Sequence, residues 1–386
     1  NMITEKFLQF ISRLIRKLLY INYILLFLSI SIFCIGFVLL YSAGGGSMDP
    51  WASKQLIKFI LSIAVYLVVS LINIRFWIGT SYYIYFLSLL MLILVSFYGS
   101  TGMGAQRWLN LGIFNIQPSE LIKFSIVLVL ARYFHAEKEL RLWDNIKNFI
   151  YPLLLILLPA YIIFIQPDLG SALILVMASL TILFVIGISV WFFVSSTIIV
   201  IIFLPVAWFF LLFDYQKDRL LIFLDPLRDP FGSGYHIIQS KIALGSGGLF
   251  GKGFLQGTQS HLNFLPEIQT DFIFTLLAEE FGIFGTLILL SLYIIIIFYS
   301  LIIGVICKSR FACFISIGVS INIFYYVFIN TAMVSGLIPV VGIPLPLVSY
   351  GGTSMLCVMF GLGLVSNAYL NRNEVLPRYK DGLLGW

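Results

Sequence analysis

The chain has 386 residues, of which 60% are hydrophobic and only 10% are charged, and its formal net charge is +6. Soluble globular domains carry about 25% charged residues, so this composition excludes that class and indicates a protein that crosses the membrane several times. The apolar runs are long and do not alternate with period two, which favours spanning helices over a β-barrel. We therefore predict an all-α, polytopic membrane protein.

The first segment of the chain, EKFLQFISRLIRKLLY, is basic and amphipathic and lacks a small-residue cleavage site, which predicts a retained cytoplasmic lead-in. A spanning helix needs about 20 predominantly apolar residues. Ten segments meet this criterion, and an even number places both termini on the same side of the membrane. The ten predicted spans are residues 21–43, 54–72, 77–97, 119–134, 149–165, 169–187, 191–213, 271–306, 311–334 and 350–370.

The distribution of Lys and Arg predicts the orientation of these spans. With the N-terminus inside, fourteen of these residues fall on inner segments, whereas four fall in short outer loops and the adjacent helix ends. This asymmetry agrees with the positive-inside rule. We predict that both termini and the 135–148 loop are cytoplasmic and that residues 214–270 lie outside. The inner loops account for the net positive charge, and the sequence carries no nucleic-acid signature.

The outer segment 214–270 is much longer than a helix connection requires. Unstructured connections beyond about 12–15 residues are uncommon unless they have a function. Five basic residues and two glycine clusters, at 232–234 and 245–253, lie in this loop. Glycine permits tight backbone conformations, so the loop is a candidate for substrate binding.

Several charged residues fall at the outer ends of predicted spans, where charges are costly and are therefore candidates for function. Asp271 and Asp168 each stand at the start of a helix and could be either functional or simply N-caps. Glu120 and Lys123 are spaced i,i+3 and could be functional or an ordinary surface pair. Arg107, beside a tryptophan, could bind an anion or anchor the chain at the interface. We also predict a direct ion pair between Lys123 and Asp168.

Two further carboxylates, Glu279 and Glu280, lie on the same helix as Asp271. A rise of about 1.5 Å per residue places them roughly 12–13 Å below Asp271. We predict that they pair with polar groups and organise the bundle. Cations and carboxylates that converge on the outer leaflet suit a substrate with an anionic, lipid-linked head group, because a cation can stabilise a departing diphosphate and a carboxylate can accept a proton.

Six stretches of the chain carry a resemblance to a known family. They are RWLNLG, QPSELIK, QPDLGSAL, LDPLRDPFGSGYHIIQSKIALGSGGLFGKGFLQGTQS, NFLPEIQTDFIFTLLAEEFG and GLIPVVGIPLPLVSYGGTSM. In their order along the chain and in their residues, these stretches closely resemble the SEDS family of shape, elongation, division and sporulation proteins, over about residues 101–371. The LQGTQSHLNFLPE stretch is more similar to the elongation member than to the division member.

This resemblance implies a single transmembrane domain, residues 1–386, with ten helices and one large extracytoplasmic loop. The implied activity is a peptidoglycan glycosyltransferase that polymerises lipid II during cell elongation, in the bacterial cytoplasmic membrane with its active site outside. A class B penicillin-binding protein is the implied transpeptidase partner, and lipid II and membrane lipid are the implied ligands, with no nucleic acid.

The resemblance also assigns roles to residues. The family's essential aspartate falls on Asp271, the expected general base for an inverting displacement. Its polar cluster falls on Glu120, Lys123 and Asp168, and Arg107 matches its basic residue.

For the diphosphate, the candidate ligands are Arg107 and Lys123, with Lys241 and Lys252 as further candidates, and a divalent cation (Mg²⁺ or Mn²⁺) is left open as a cofactor. Two other functions remain open: a lipid II flippase and a scaffold for the transpeptidase. A transporter should place its charges near the midplane in inverted repeats, whereas here they lie at the outer face.

Overall fold

The structure, a computed structural model, describes residues 17–102, 105–110, 112, 115–136, 146–210, 214–229, 232–261 and 267–377. The predicted lead-in up to residue 16 and most of the predicted 135–148 loop lie outside the described residues. The elements are α1 (Tyr23–Ala43), α2 (Ala52–Leu71), α3 (Ile74–Tyr98), β1 (Ser100–Gly102), β2 (Ala105–Asn110), β3 (Asn115–Ile116), α4 (Pro118–Ala136), α5 (Ile146–Ile165), α6 (Leu169–Ile186), α7 (Val190–Phe210), α8 (Asp214–Leu224), α9 (Ser233–Ser246), α10 (Thr258–His261), α11 (Ile273–Ile306), α12 (Arg310–Val334) and α13 (Gly352–Leu370).

Each of the ten predicted spans corresponds to one helix, namely α1 to α7 and α11 to α13, and the all-α polytopic class is confirmed. By length and composition, seven described helices could cross a membrane, and shorter apolar helices are present in α5 and α7. The boundaries differ by a few residues. The most important difference is at α11, which begins at Ile273 rather than at residue 271, so Asp271 lies in the turn before the helix.

Two segments that were predicted to lie outside contain structure that the span count did not predict. The connection between α3 and α4 forms a small antiparallel sheet in the order β1-β2-β3. The predicted loop 214–270 contains α8, α9, α10 and a 3₁₀ turn at Pro226–Arg228. These elements are 2 to 14 residues long, too short to cross a bilayer, so a search for spanning segments passes over them.

Helix α4 lies within the bundle and packs against α3, α12 and α13. Small residues allow the close approach, since a Cβ added at Gly361 would lie 2.5 Å from the Phe124 ring, and one at Gly318 would lie 2.5 Å from Val127. Helices in lipid associate through such close packing. Almost every side chain of α4 is therefore buried, including its charged ones.

The long connection between α7 and α11 docks onto a break in α11. Gly282 has φ 67° and ψ −162°, a left-handed conformation that favours glycine. The backbone groups freed by the break pair with the loop, since Ile283 N donates to Gly248 O at 3.0 Å and Lys252 N donates to Glu279 O at 2.9 Å. Residues 248–253 are thus held against the part of α11 that follows Asp271.

Candidate functional site

The turn that carries Asp271 is fixed through its backbone. Asn330 Nδ2, on α12, donates to Asp271 O at 3.0 Å and to Ile343 O at 2.7 Å, and Tyr350 N donates to Gln269 O at 2.8 Å. The N-cap of α11 is Phe272, and no side chain caps this helix. The interpretation of Asp271 as an N-cap is therefore wrong, and its carboxylate remains available for chemistry.

The environment of Asp271 favours the protonated form of its carboxyl group. Burial is the largest cause and the nearby Glu267 carboxylate the second, and together they raise the pKa of Asp271 from its ordinary value of 3.8 to about 7. The guanidinium groups of Arg107 and Arg219 oppose this shift. A carboxylate with a pKa near neutrality is a better proton acceptor at physiological pH than an ordinary Asp.

Asp168 caps the helix that follows it, which confirms the N-cap interpretation of this residue. Its side chain accepts from Ser171 N at 3.3 Å at the start of α6, and also from Gln117 Nε2 at 3.4 Å and Ser119 Oγ at 3.3 Å. Arg107, on β2, donates from Nη2 to the carbonyl of Pro167, the residue that precedes Asp168. Asp168 thus connects the starts of α4 and α6 and supports the position of Arg107.

The predicted direct ion pair between Lys123 and Asp168 is wrong. Lys123 Nζ lies 2.7 Å from Glu120 Oε1 instead, because the i,i+3 spacing places the two on one face of α4. The pair is not on the surface, since the side chains are 1% and 2% exposed. Tyr326 donates its hydroxyl to Glu120, and its ring centroid lies 4.5 Å from Lys123 Nζ. Ser171 Oγ lies 3.4 Å from Lys123 Nζ and joins this network to α6.

Glu279 and Glu280 pair with polar groups, as predicted. Glu279 accepts from Lys252 Nζ at 2.8 Å and from Gln259 N at 2.9 Å, which fastens the long connection between α7 and α11 to α11. Glu280 accepts from Ser42 Oγ at 2.5 Å, at the end of α1. Both carboxylates therefore fasten other elements to α11.

The two lysines named as further diphosphate ligands lie in different surroundings. Lys252 is engaged by Glu279. Lys241, on α9, is exposed and lies over Gly336, where an added Cβ would come within 2.7 Å of its Nζ. Arg219, which lies in the same long segment as these two lysines, has a charge that acts on Asp271.

Sequence reasoning missed three residues of this region: Arg219, Tyr326 and Asn330. A signal for the last two is present, because Asn322, Tyr326 and Asn330 recur every fourth residue along α12 and must share one face. Polar side chains repeated along one face of a spanning helix point to the interior of the bundle. Arg219 gave no such signal, since nothing local distinguishes it from the other bases of the loop.

A cavity of about 1180 Å³ opens beside this site. Its walls are mainly apolar and include Leu61 and Val65 of α2 and Leu356 of α13. Thr270 lines it next to Asp271. Lys58 also lines it, with Nζ 3.9 Å from the centroid of the Tyr350 ring. Within the described ranges, no group of three or more His, Cys, Asp and Glu side chains could hold a metal ion.

Known proteins resemble the chain over most of its length. A family model described as cell cycle protein, covering FtsW, RodA and SpoVE, matches residues 20–374. The peptidoglycan glycosyltransferase MrdB of Escherichia coli strain K12 is 42% identical over 335 residues, which cover 87% of this chain and 90% of that protein. The probable peptidoglycan glycosyltransferase FtsW of Aliivibrio salmonicida is 34% identical, covering 81% of this chain and 78% of that protein.

Solved structures that resemble this chain come from the same kind of protein as these sequence relatives. A chain from a peptidoglycan synthase complex that coordinates polymerization and crosslinking has a TM-score of 0.78 and 32% identity, covering 91% of this chain and 98% of that one. The rod shape determining protein RodA of Thermus thermophilus has a TM-score of 0.69 and 27% identity, covering 92% and 98%. The chain therefore belongs to the FtsW, RodA and SpoVE family.

Proposed function

We propose that this chain is a peptidoglycan glycosyltransferase that polymerises lipid II into β-1,4-linked glycan strands during cell elongation. The observation that carries the proposal is the half-buried Asp271, whose pKa of about 7 suits a general base and whose charge neighbours include Arg107 and Arg219. The chain also shares 42% identity with a protein named as a peptidoglycan glycosyltransferase. A base and cations at one site are what a glycosyl transfer from a diphosphate donor requires.

In the proposed reaction, the 4-hydroxyl of the acceptor GlcNAc attacks C1 of the donor MurNAc. The new C1–O4 bond forms as the bond from C1 to the diphosphate oxygen breaks, and Asp271 takes the hydroxyl proton. The leaving group is undecaprenyl diphosphate, which needs no strong acid. One base is therefore sufficient, and a single displacement inverts the configuration at C1, unlike the two-carboxylate mechanism of glycosidases.

The cavity beside Asp271 supports a lipid-linked substrate. Its apolar walls suit a polyprenyl chain, and Thr270 places part of its lining next to the proposed base. Ligand sites commonly combine apolar walls with a few placed polar groups. A nucleotide sugar, by contrast, would gain little from such walls.

We propose that the protein lies in the bacterial cytoplasmic membrane with both termini inside and Asp271 outside. If so, a cysteine placed at the exposed Gln256 should react with an impermeant maleimide in intact spheroplasts. The four native cysteines are first replaced by serine so that only this thiol reports. If Gln256→Cys were labelled only after the membrane was permeabilised, this residue would lie inside and the proposed topology would be wrong.

We further propose a class B penicillin-binding protein as the partner and a divalent cation as a co-ligand of the diphosphate. The similarity to a chain of a synthase complex supports the first. The second fits the donor set, because Mg²⁺ is commonly held by one or two carboxylates together with substrate phosphates rather than by an all-protein cage. Asp168, whose charge acts on Asp271, is the carboxylate that would hold it, which leaves Asp271 to accept the proton.

The experiment that tests the proposed function is incubation of the purified protein with lipid II, followed by separation of glycan strands by length. It is run with and without the transpeptidase, and with EDTA, Mg²⁺ or Mn²⁺. Strands are expected from the wild-type protein. If no strands form under any of these conditions, while the same protein moves labelled lipid II across a vesicle membrane, the flippase alternative replaces the glycosyltransferase.

The pH dependence of polymerisation follows from the raised pKa of Asp271. The carboxylate is the active form, so activity should fall as pH drops through about 7, by about tenfold per pH unit below it. Replacing Glu267 by Gln removes a carboxylate that raises the pKa, and should shift this acid limb to lower pH. The measurement is the initial rate between pH 5 and about 8.5. A wild-type rate that stayed flat from about pH 8.5 down to about pH 5 would contradict the assignment.

A further inference from the structure

Arg219 is anchored beside the segment that borders the Asp271 carboxylate. It lies on α8 and donates from Nη1 to Val340 O at 3.3 Å. Two residues further along, a Cβ added at Gly342 would lie 3.3 Å from Asp271 Oδ2. The bond to Val340 thus holds the Arg219 guanidinium close to the turn that carries the proposed base.

Arg107 reaches the same place from a different part of the chain. Its guanidinium is held by the carbonyl of Pro167, at the start of α6. That helix start packs on the same segment, since a Cβ added at Gly170 would lie 2.6 Å from Val341 O. Two guanidinium groups, from β2 and from α8, are therefore held by elements that border Asp271, and the charge of each acts on its carboxylate.

This arrangement answers an electrostatic requirement of the proposed reaction. The donor diphosphate is an anion that must approach the carboxylate of Asp271. The carboxylates of Glu267 and Asp168 are also near, since the charge of each acts on Asp271. Without nearby cations the two sets of negative charge would repel. Guanidinium groups suit this task, because their planar fork of donors matches phosphate oxygens in a bidentate geometry.

We propose that Arg219 and Arg107 together bind the diphosphate of the lipid-linked donor and stabilise the charge that develops as it leaves. This inference rests on the proposed function, which supplies the diphosphate. It replaces Lys241 and Lys252 as the ligands contributed by the long outer segment, since Lys252 is engaged by Glu279 and Lys241 is exposed over Gly336.

The test measures binding of undecaprenyl diphosphate to the full-length protein in phosphatidylcholine nanodiscs, which present no anionic lipid. Arg219→Gln should weaken binding on the order of 10–100-fold, the effect of losing a charge-assisted hydrogen bond. Arg219→Lys keeps the charge but loses the fork, so an intermediate effect is expected. Undecaprenyl monophosphate should bind more weakly than the diphosphate and should be less sensitive to Arg219. The matched control is Arg228→Gln, on the same segment with its side chain 56% exposed, which should bind like the wild type.

Two outcomes would overturn the inference. One is unchanged diphosphate binding by a folded Arg219→Gln protein, with only the acid limb of the rate profile displaced, because Arg219 would then act on Asp271 alone. The other is loss of thermal stability in Arg219→Gln with an equal loss of affinity for uncharged undecaprenol, which would make Arg219 a purely structural contact to Val340. Binding is measured separately from polymerisation. A wild-type protein that binds the diphosphate without polymerising lipid II would count against the proposed function while leaving the anion site in place.

Discussion

Asp271→Asn is expected to lower the rate of lipid II polymerisation by about 10²–10⁴-fold, the usual contribution of a general base. Asn has the same size but cannot accept a proton at neutral pH. The fold should survive, because Asn330 and Tyr350 hold this turn through backbone groups that the substitution leaves unchanged. The measurement is the initial rate of strand formation by purified protein, together with its melting temperature and its binding to the transpeptidase.

The matched control is Glu280→Gln, on the same helix. Glu280 accepts from Ser42 at the end of α1, so its substitution should lower stability or expression more than the chemical step. If Asp271→Asn polymerised lipid II at close to the wild-type rate, Asp271 would not be the base. The flippase and scaffold alternatives would then regain weight.

The ten helices that match the predicted spans were predictable because lipid imposes a strict condition on spanning segments. A segment that crosses the bilayer must be long, apolar and helical to satisfy its own backbone hydrogen bonds, and each of these properties is visible in the sequence. The short elements between the spans meet no such condition. The sheet β1-β2-β3 and the helices α8 to α10 depend on docking onto the rest of the chain, as the pairing of residues 248–253 with the break at Gly282 illustrates.

The candidate site was predictable to the extent that its residues interact locally. Asp168 caps the helix that begins one residue later, and Glu120 pairs with Lys123 three residues away on the same helix. Interactions between distant segments could not be derived in this way. The sequence alone favoured Lys123 with Asp168, and it offered no reason to select Arg219 from the five bases of the long loop.

Lys123→Ala is expected to destabilise the protein by about 3–5 kcal/mol, because it leaves the Glu120 carboxylate buried without its cation. Both side chains are almost fully buried, so water cannot replace the lost partner. The double variant Glu120→Gln with Lys123→Met should recover part of this loss, since it leaves no unpaired charge in the bundle. The measurement is the free energy of unfolding in a fixed detergent.

The control for this prediction is Arg75→Ala, which removes an ion pair with Glu374 whose side chains are 56% and 29% exposed. Solvent screens such a pair, so its loss should cost less than about 1 kcal/mol. If Lys123→Ala cost no more than this control, Glu120 would have to be hydrated or neutral. Recovery of stability but not of activity in the double variant would instead support a positioning role for the pair. Lys123 links α4 to α6 through Ser171, and Asp168 and Arg107 depend on the start of α6 for their placement.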